Sequence, residues 1–389
     1  MATTAADEQS AQTLHALACA AGQRVAFSVE ALRELLENLS VRRPLVVIDR
    51  TALEATNAAD RLHASLTGTS ASEFGAFHPN PAVADALAAG QQARAHKADG
   101  VVAIGGGSCI DTAKVAALSA TRGPEREAWL AVNEAPLPLP IVAIPTTSGS
   151  GAEATCFAAV YDNTAHGPRK QSIENPGVRP AAVVLDATLH RAMPPRLAAC
   201  TGLDALCQAA ESLWAKAATA QSAAFARAAG LAASGHLEPS VLQAGLHDRR
   251  VVMLAAYLAG CAINQSRTTL PHALSYAITT RHGIPHGHAV ALTLGFVARA
   301  NANAGGPAAD AVAELARWLR CDTAGIPDHL AGLLRRLGLP ASLREAGVPR
   351  RDLQMIAESV DPLRASNNPA ALTQTQLHQL LDHAWAGSS

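Results

Sequence analysis

Aromatic side chains are scarce in this sequence. Phe, Trp and Tyr together make up 3% of its 389 residues. An all-β sandwich or barrel draws on aromatic and β-branched residues, so their scarcity argues against one, and the Ala- and Leu-rich apolar share favours helices. No CxxC pair occurs among the seven cysteines (Cys19, Cys109, Cys156, Cys200, Cys207, Cys261 and Cys321). An odd, scattered set reads as reduced thiols in a cytoplasm. Charge of one sign is also missing: 31 Lys and Arg stand against 32 Asp and Glu. There is neither the basic surplus of a general nucleic-acid binder nor an acidic tail. No run approaches the ~18 uninterrupted apolar residues of a membrane span. The start, with two early acids and no basic residues ahead of an apolar run, does not read as a signal peptide. Internal repeats are absent as well. The expected partner is a small molecule, with no nucleic acid and no membrane.

What is present is a 49% hydrophobic share, enough at this length for two domains or one large one. Four short apolar runs occur early: 44–50 (PLVVIDR), 101–104 (VVAI), 141–144 (IVAI) and 181–186 (AAVVLD). Bounded by turn signals, they suit buried parallel strands. Helical stretches such as 82–96 and 109–120 separate the early ones, predicting crossover connections. After residue 187 Ala/Leu-rich stretches at helical spacing dominate: 196–215, 219–234, 250–265, 288–304, 307–320 and 372–386. The expected fold is therefore an α/β N-terminal dinucleotide-binding domain with a Rossmann-like parallel sheet over 1–187, and an all-helical domain over 188–389.

The run 101–104 feeds Gly105-Gly106-Gly107-Ser108. Glycines let a backbone approach an anion, and a helix N-terminus adds unpaired N–H groups and a positive dipole end. Ser108 is the expected N-cap, with Asp111 three residues on in a variant capping box; a plain tight turn is the alternative. Asp49 closes the first run, where an acid can accept the hydroxyls of an adenosine ribose and repel a 2′-phosphate, favouring NAD(H) over NADP(H). It lies upstream of the glycines, whereas the usual fingerprint places its acid about 20 residues downstream, and it could equally be a turn acid. Thr146, Thr147 and Ser150 form a second polar, Gly-containing loop after a strand, suited to a pyrophosphate or ribose or to a side-chain turn.

The helical half carries a His-rich segment, 271–288 (PHALSYAITTRHGIPHGH). His272 and Tyr276 are four apart and share a helix face. His286 is expected in a loop fixed by Pro285 and Gly287. Upstream, Thr201-Gly202-Leu203-Asp204 is expected to open a helix on which Asp204 and Gln208 share a face. An Asp and two His from separate elements can converge on a divalent metal with an open position.

Together, IGGGSCIDTAK (104–114), PTTSGSGAEAT (145–155), TGLDAL (201–206), the segment 284–288 and the turn His78-Pro79-Asn80-Pro81 resemble the iron-containing (group III) alcohol dehydrogenase family over nearly the whole chain. The resemblance implies a dinucleotide-binding α/β domain followed by a helical metal-binding domain, as in dehydroquinate synthases, and a homodimer. It implies reversible hydride transfer between NAD(P)H and an aldehyde or ketone polarised by Fe²⁺ or Zn²⁺. It places Asp49 at the adenine ribose, Asn80 near the dinucleotide, Gly106, Gly107 and Ser108 at the pyrophosphate, and Thr146, Thr147 and Ser150 on the second cofactor loop, with Asp111 and Lys170 also on the cofactor side. Asp204, His272 and His286 match three of four metal ligands. The fourth is normally a His where this chain has Gln208, a neutral and weaker donor, so metal binding is expected to be weakened or absent. Tyr276 stands where many members have a His. With Lys170 and His286 it is a candidate to move the proton and polarise the carbonyl.

The stretch from Ser266 to Leu292 is most similar to one branch of that family, which reduces phosphonoacetaldehyde to 2-hydroxyethylphosphonate in phosphonate natural-product pathways. A phosphonate dianion calls for Arg, Lys and hydroxyl donors, and Arg267, Thr268, Arg281 and Lys170 are the candidates. The expected activity is NADH-dependent reduction of a small aldehyde. The alternatives are a maleylacetate-type or general short-chain alcohol oxidoreductase, an NAD-using cyclase or lyase like dehydroquinate synthase, and an inactive nucleotide-binding protein.

Overall fold

The computed structural model describes residues 5–132, 136–164 and 167–387. They form two compact units. One runs from His15 to Met193; the other runs from Pro194 onward and includes the described residues up to Leu14.

The first unit holds eight strands: β1 (Arg24–Ala26), β2 (Pro44–Ile48), β3 (Ser72–Phe74), β4 (Gly100–Gly105), β5 (Ile141–Pro145), β6 (Phe157–Thr164), β7 (Gly167–Glu174) and β8 (Ala182–Val184). Six make one sheet in the order β1-β8-β5-β4-β2-β3, parallel throughout. Its centre is the four runs expected to be strands. They are apolar at every position because both faces are covered. Leu45, Val47, Val101, Ala103, Ile141 and Ala143 pack on one face with Ala86, Ala89, Ile110 and Ala113 of the helices Val83–His96 and Gly107–Arg122. The alternate residues Val46, Ile48, Val102, Ile104, Val142 and Ile144 pack on the other with Leu32, Leu36 and Leu62. β6 and β7 form a separate antiparallel hairpin.

This strand order locates the ligand edge. From β2 the chain runs outward to β3, then returns through the helix Val83–His96 to β4 on the opposite side of β2, and continues away through β5. The direction reverses between β2 and β4, so a crevice opens there beyond the strands' carboxyl ends.

In the second unit no strand occurs among the described residues. Its long helices are Pro195–Trp214, Ala220–Leu242, Leu246–Ser266 and His286–Asn303. Thr219 caps the second of these: its Oγ1 accepts from the Ser222 N–H at 3.0 Å while the Thr219 N–H donates to Ser222 Oγ at 2.8 Å. The helix Leu270–His282 stops at Gly283, left-handed at φ 67°. Pro285 follows as the cap of the next helix, whose first residue is His286. His286 is thus a helix N-terminal residue rather than the loop residue expected. Likewise Thr201 lies inside the helix Pro195–Trp214 and does not open it. No helix among the described residues is long and apolar enough to cross a membrane.

Candidate active site

Three loops meet at the carboxyl edge of the central strands. Asp49 follows β2 and caps the helix Arg50–Thr56, its Oδ1 accepting from the Ala52 N–H at 3.2 Å. Beside it, a Cβ on Gly105 would stand 3.0 Å from the Asp49 Cβ. A Cβ on Gly106 would stand 3.2 Å from Thr147 Oγ1, and one on Gly107 2.7 Å from Ser150 Oγ, so the glycine backbone after β4 lies against the side chains of the loop after β5. The N-cap of the helix Gly107–Arg122 is Gly106, with no side chain on its first N–H groups. Those donors are open to an anion. Thr146 Oγ1 is buried and without a hydrogen-bond partner among the described residues, which fits a site completed by a polar ligand.

The expected Ser108–Asp111 capping box does not form. Ser108 sits inside the first turn, and its Oγ accepts from the Asn80 N–H at 3.1 Å, tying the left-handed Asn80 turn (φ 56°) to the glycine loop. The Asp111 carboxylate instead accepts from the Ala159 N–H of β6 at 2.9 Å. Burial raises its pKa, while the charges of Lys114 and Lys170 offset part of the rise. Lys170 lies on β7 opposite Tyr161. Sequence reasoning missed Lys114. This buried amine donates to the carbonyls of Thr155 and Phe157 at 2.8 and 2.5 Å, and burial lowers its pKa to about 8. Burial also raises the Glu153 carboxyl to about 7.

The second unit gathers the metal candidates. Asp204, Gln208 and Glu211 occupy one face of the helix Pro195–Trp214, at spacings of four and three, and all are buried. His272 projects from the helix Leu270–His282 and His286 from the start of the next. Ligand atoms of Asp204, His272 and His286 all lie within 4.8 Å of one another. Gly287 makes this possible: a Cβ there would fall 2.0 Å from the Cys200 carbonyl and 2.7 Å from the Asp204 Cβ. Only hydrogen lets the two helices come that close.

Glu211 was not anticipated, although its place on the Asp204 face was legible from helical periodicity. Its Oε2 accepts from the Thr269 N–H and Oγ1 at 2.6 and 2.8 Å, and its Oε1 pairs with His272 Nδ1. That pairing turns His272 Nε2 toward Asp204 Oδ1 at 3.2 Å, the carboxylate–histidine arrangement that orients metal ligands. Ser275 Oγ pairs with His286 Nδ1 at 3.2 Å. Burial opposes charging His272, but Glu211 and Asp204 outweigh it and raise the pKa to about 10. Burial likewise opposes ionising Asp204, yet hydrogen bonding from His272, the charges of His286 and His272, and the Gln208 amide together lower its pKa. Neither Asp204 nor Glu211 ion-pairs with a Lys or Arg among the described residues. Two buried carboxylates converging on two imidazoles form a donor set that fits a divalent cation.

Around this cluster the Tyr276 ring lies parallel to His286, 5.8 Å between centroids and 3° between planes. Of the expected anion residues, Thr268 is buried. Arg267 sits at φ 62° and ψ 174°, a region strained for a non-glycine residue, and its Nη1 donates to the Asn264 carbonyl at 2.5 Å. Arg281 is exposed on the last turn of its helix. A residue not foreseen, Arg364, places its guanidinium 5.2 Å from the Tyr276 ring centroid and donates to Thr268 Oγ1 at 2.9 Å.

A Gly-rich loop edge on a parallel sheet and a buried Asp-His-His cluster on helices make up a two-unit architecture suited to a nucleotide and a divalent metal. Comparison with known proteins gives the family. The model of the iron-containing alcohol dehydrogenases matches residues 23–187, and that of the C-terminal region of Fe-containing alcohol dehydrogenases matches residues 198–385. Phosphonoacetaldehyde reductase of Streptomyces viridochromogenes is 36% identical over 78% of this chain and 81% of its own. 4-hydroxybutyrate dehydrogenase of Cupriavidus necator is 31% identical over 82% and 86%. Among solved structures, sulfoacetaldehyde reductase from Bifidobacterium kashiwanohense in complex with NAD+ superposes with a TM-score of 0.83 at 28% identity, covering 93% of this chain and 96% of that one. The chain belongs to the iron-containing alcohol dehydrogenase family and is an oxidoreductase of the alcohol dehydrogenase and aldehyde reductase class.

Proposed function

We propose that this enzyme uses NADH to reduce a small anionic aldehyde, with phosphonoacetaldehyde to 2-hydroxyethylphosphonate as the leading reaction. The observation that carries the reading is the buried Asp204–His272–His286 cluster, braced by Glu211. A divalent metal bound there supplies a Lewis acid for the carbonyl oxygen. Asp204, His272 and His286 would hold it, and Gln208 would offer a neutral amide beside them. Glu211 fixes the His272 ring, and Tyr276 covers one face of His286 with a phenol able to pass a proton to the developing alkoxide. Asp49, at the carboxyl end of β2, supports NADH over NADPH. Support for the substrate comes from the relatives, whose names specify phosphonate, sulfonate and carboxylate compounds.

The test is NADH consumption by purified protein with phosphonoacetaldehyde, with and without chelator and with NADPH in parallel. The expected result is turnover that a chelator abolishes and added Fe²⁺ or Zn²⁺ restores. Absence of net NADH consumption with anionic aldehydes would overturn the reading, and a cyclase-like reaction would then be the one to pursue.

A further inference from the structure

We propose that Arg364 recognises the charged end of the substrate, a tetrahedral phosphonate or sulfonate oxyanion carried next to the aldehyde carbon. This rests on the anionic-aldehyde reading above and adds the residue responsible for it. Arg364 lies on the short helix Pro362–Ser366 and is half-buried. Among the described residues its guanidinium makes a single hydrogen bond, to Thr268 Oγ1, and no ion pair. A half-buried guanidinium with no carboxylate partner keeps donors available for an anion.

The position suits that anion. The guanidinium lies over Tyr276 at 5.2 Å, and the Tyr276 ring also stacks with His286 of the metal cluster, at 5.8 Å. Arg364 and His286 thus share Tyr276 as a neighbour, which puts the guanidinium close to the place where the carbonyl oxygen would be held. The other two expected arginines are less suited: Arg267 turns back on the Asn264 carbonyl of its own helix, and Arg281 is exposed.

The site is also held in place before any ligand arrives. Asn367 Nδ2 donates to the carbonyls of Ser266 and Thr268 at 2.9 and 3.1 Å, pinning the Arg364 segment to the 266–269 loop. The same loop presents Thr269 to Glu211, so one short backbone segment sets both the metal cluster and the guanidinium. Thr268 Oγ1 accepts from Arg364 and keeps its own proton to donate to an oxyanion. A planar guanidinium can stack on Tyr276 and present a fork to a tetrahedral anion at once, which a lysine ammonium cannot.

The experiment uses the metal-loaded enzyme and its R364M and R364K variants. It measures kcat/KM for phosphonoacetaldehyde, for sulfoacetaldehyde and for neutral propanal, and reads the ratio of each anionic aldehyde to propanal. In R364M the ratio should fall about 10- to 100-fold, mainly through KM. The affinity for 2-hydroxyethylphosphonate, titrated calorimetrically without oxidised cofactor, should fall by a similar factor. R364K keeps charge and stem, so it covers the case in which R364M does not fold; its ratio should fall roughly tenfold. A larger wild-type ratio for phosphonoacetaldehyde identifies a dianion site and one for sulfoacetaldehyde a monoanion site, both as proposed. If the wild type does not prefer either anionic aldehyde, the anionic-substrate reading fails and this inference with it. If the wild type shows the preference and the Arg364 variants keep it, the assignment of Arg364 alone is overturned.

Discussion

Gly287→Ala tests the geometry of the metal cluster most directly. The new Cβ would lie 2.0 Å from the Cys200 carbonyl oxygen, against an ordinary contact of 3.4 Å or more. That oxygen is helix backbone and cannot swing aside, so the start of the helix His286–Asn303 must retreat by about 1 Å. Overpacking of this kind costs about 1–3 kcal/mol, a fall in melting temperature of roughly 2–12 °C for a unit of this size. The neighbouring residue is the ligand His286, and metal–ligand distances tolerate only about 0.2 Å. Metal affinity should therefore drop by at least the 10- to 100-fold seen when ligand-supporting groups are lost. The assay is a calorimetric titration with Zn²⁺ or Co²⁺ beside a thermal melt. Gly283→Ala is the control: Gly283 has φ 67° with nothing within 4 Å of a Cβ. An alanine there costs about 1–2 kcal/mol of backbone strain and should lower stability while leaving metal affinity near that of the wild type. Wild-type metal affinity in Gly287→Ala, or equal losses in both variants, would refute the argument that this glycine sets the distance between His286 and Asp204.

Three further outcomes are expected. Glu211→Gln places an amide among the N–H and O–H donors of Thr269 and beside His272; metal affinity should fall roughly 10- to 100-fold, and an unchanged titration would remove Glu211 from its positioning role. Gln208→His supplies a third imidazole as the fourth ligand and should raise metal affinity; equal occupancy in variant and wild type would show that position 208 does not face the metal. For Glu153, burial raises the pKa from 4.5 to about 7, so the protonated acid stabilises the fold fully below pH 4.5, and this contribution is lost as pH rises through 7. Glu153→Gln should match the wild type near pH 4.5 and exceed it at pH 8 by up to about 3 kcal/mol; parallel pH–stability curves would contradict this.

The sequence was most readable where burial is two-sided. β2, β4, β5 and β8 appear as unbroken apolar runs because helices cover both faces of the sheet. β1 (RVA) and β3 (SEF) are three-residue edge strands with one and two polar residues respectively, too short for any period to register. The β6–β7 hairpin mixes apolar and charged residues and shows no clean alternation. At the site, Asp204, His272 and His286 were found through motif spacing and family resemblance. Glu211 lay within reach, seven residues after Asp204 on the same face. Arg364 did not, because its link to Thr268 spans 96 residues and no local pattern connects a five-residue helix to a distant loop. Ser108 was misplaced by two residues of capping: Gly106 takes the cap without a side chain, and the serine hydroxyl holds the Asn80 turn instead.

Asp204, His272 and His286 all come from the unit that begins at Pro194, while Asp49, the glycine loop and Thr146–Ser150 all belong to the unit that ends at Met193. Each unit thus carries the candidate donors for a different class of ligand. The free energy of metal binding is deposited in the helical unit, about 2.7 kcal/mol when metal stands at 100 times its dissociation constant, and that of nucleotide binding in the α/β unit. Shortage of the metal would accordingly withdraw stabilisation from the helical unit first, making its helices the segments most open to proteases.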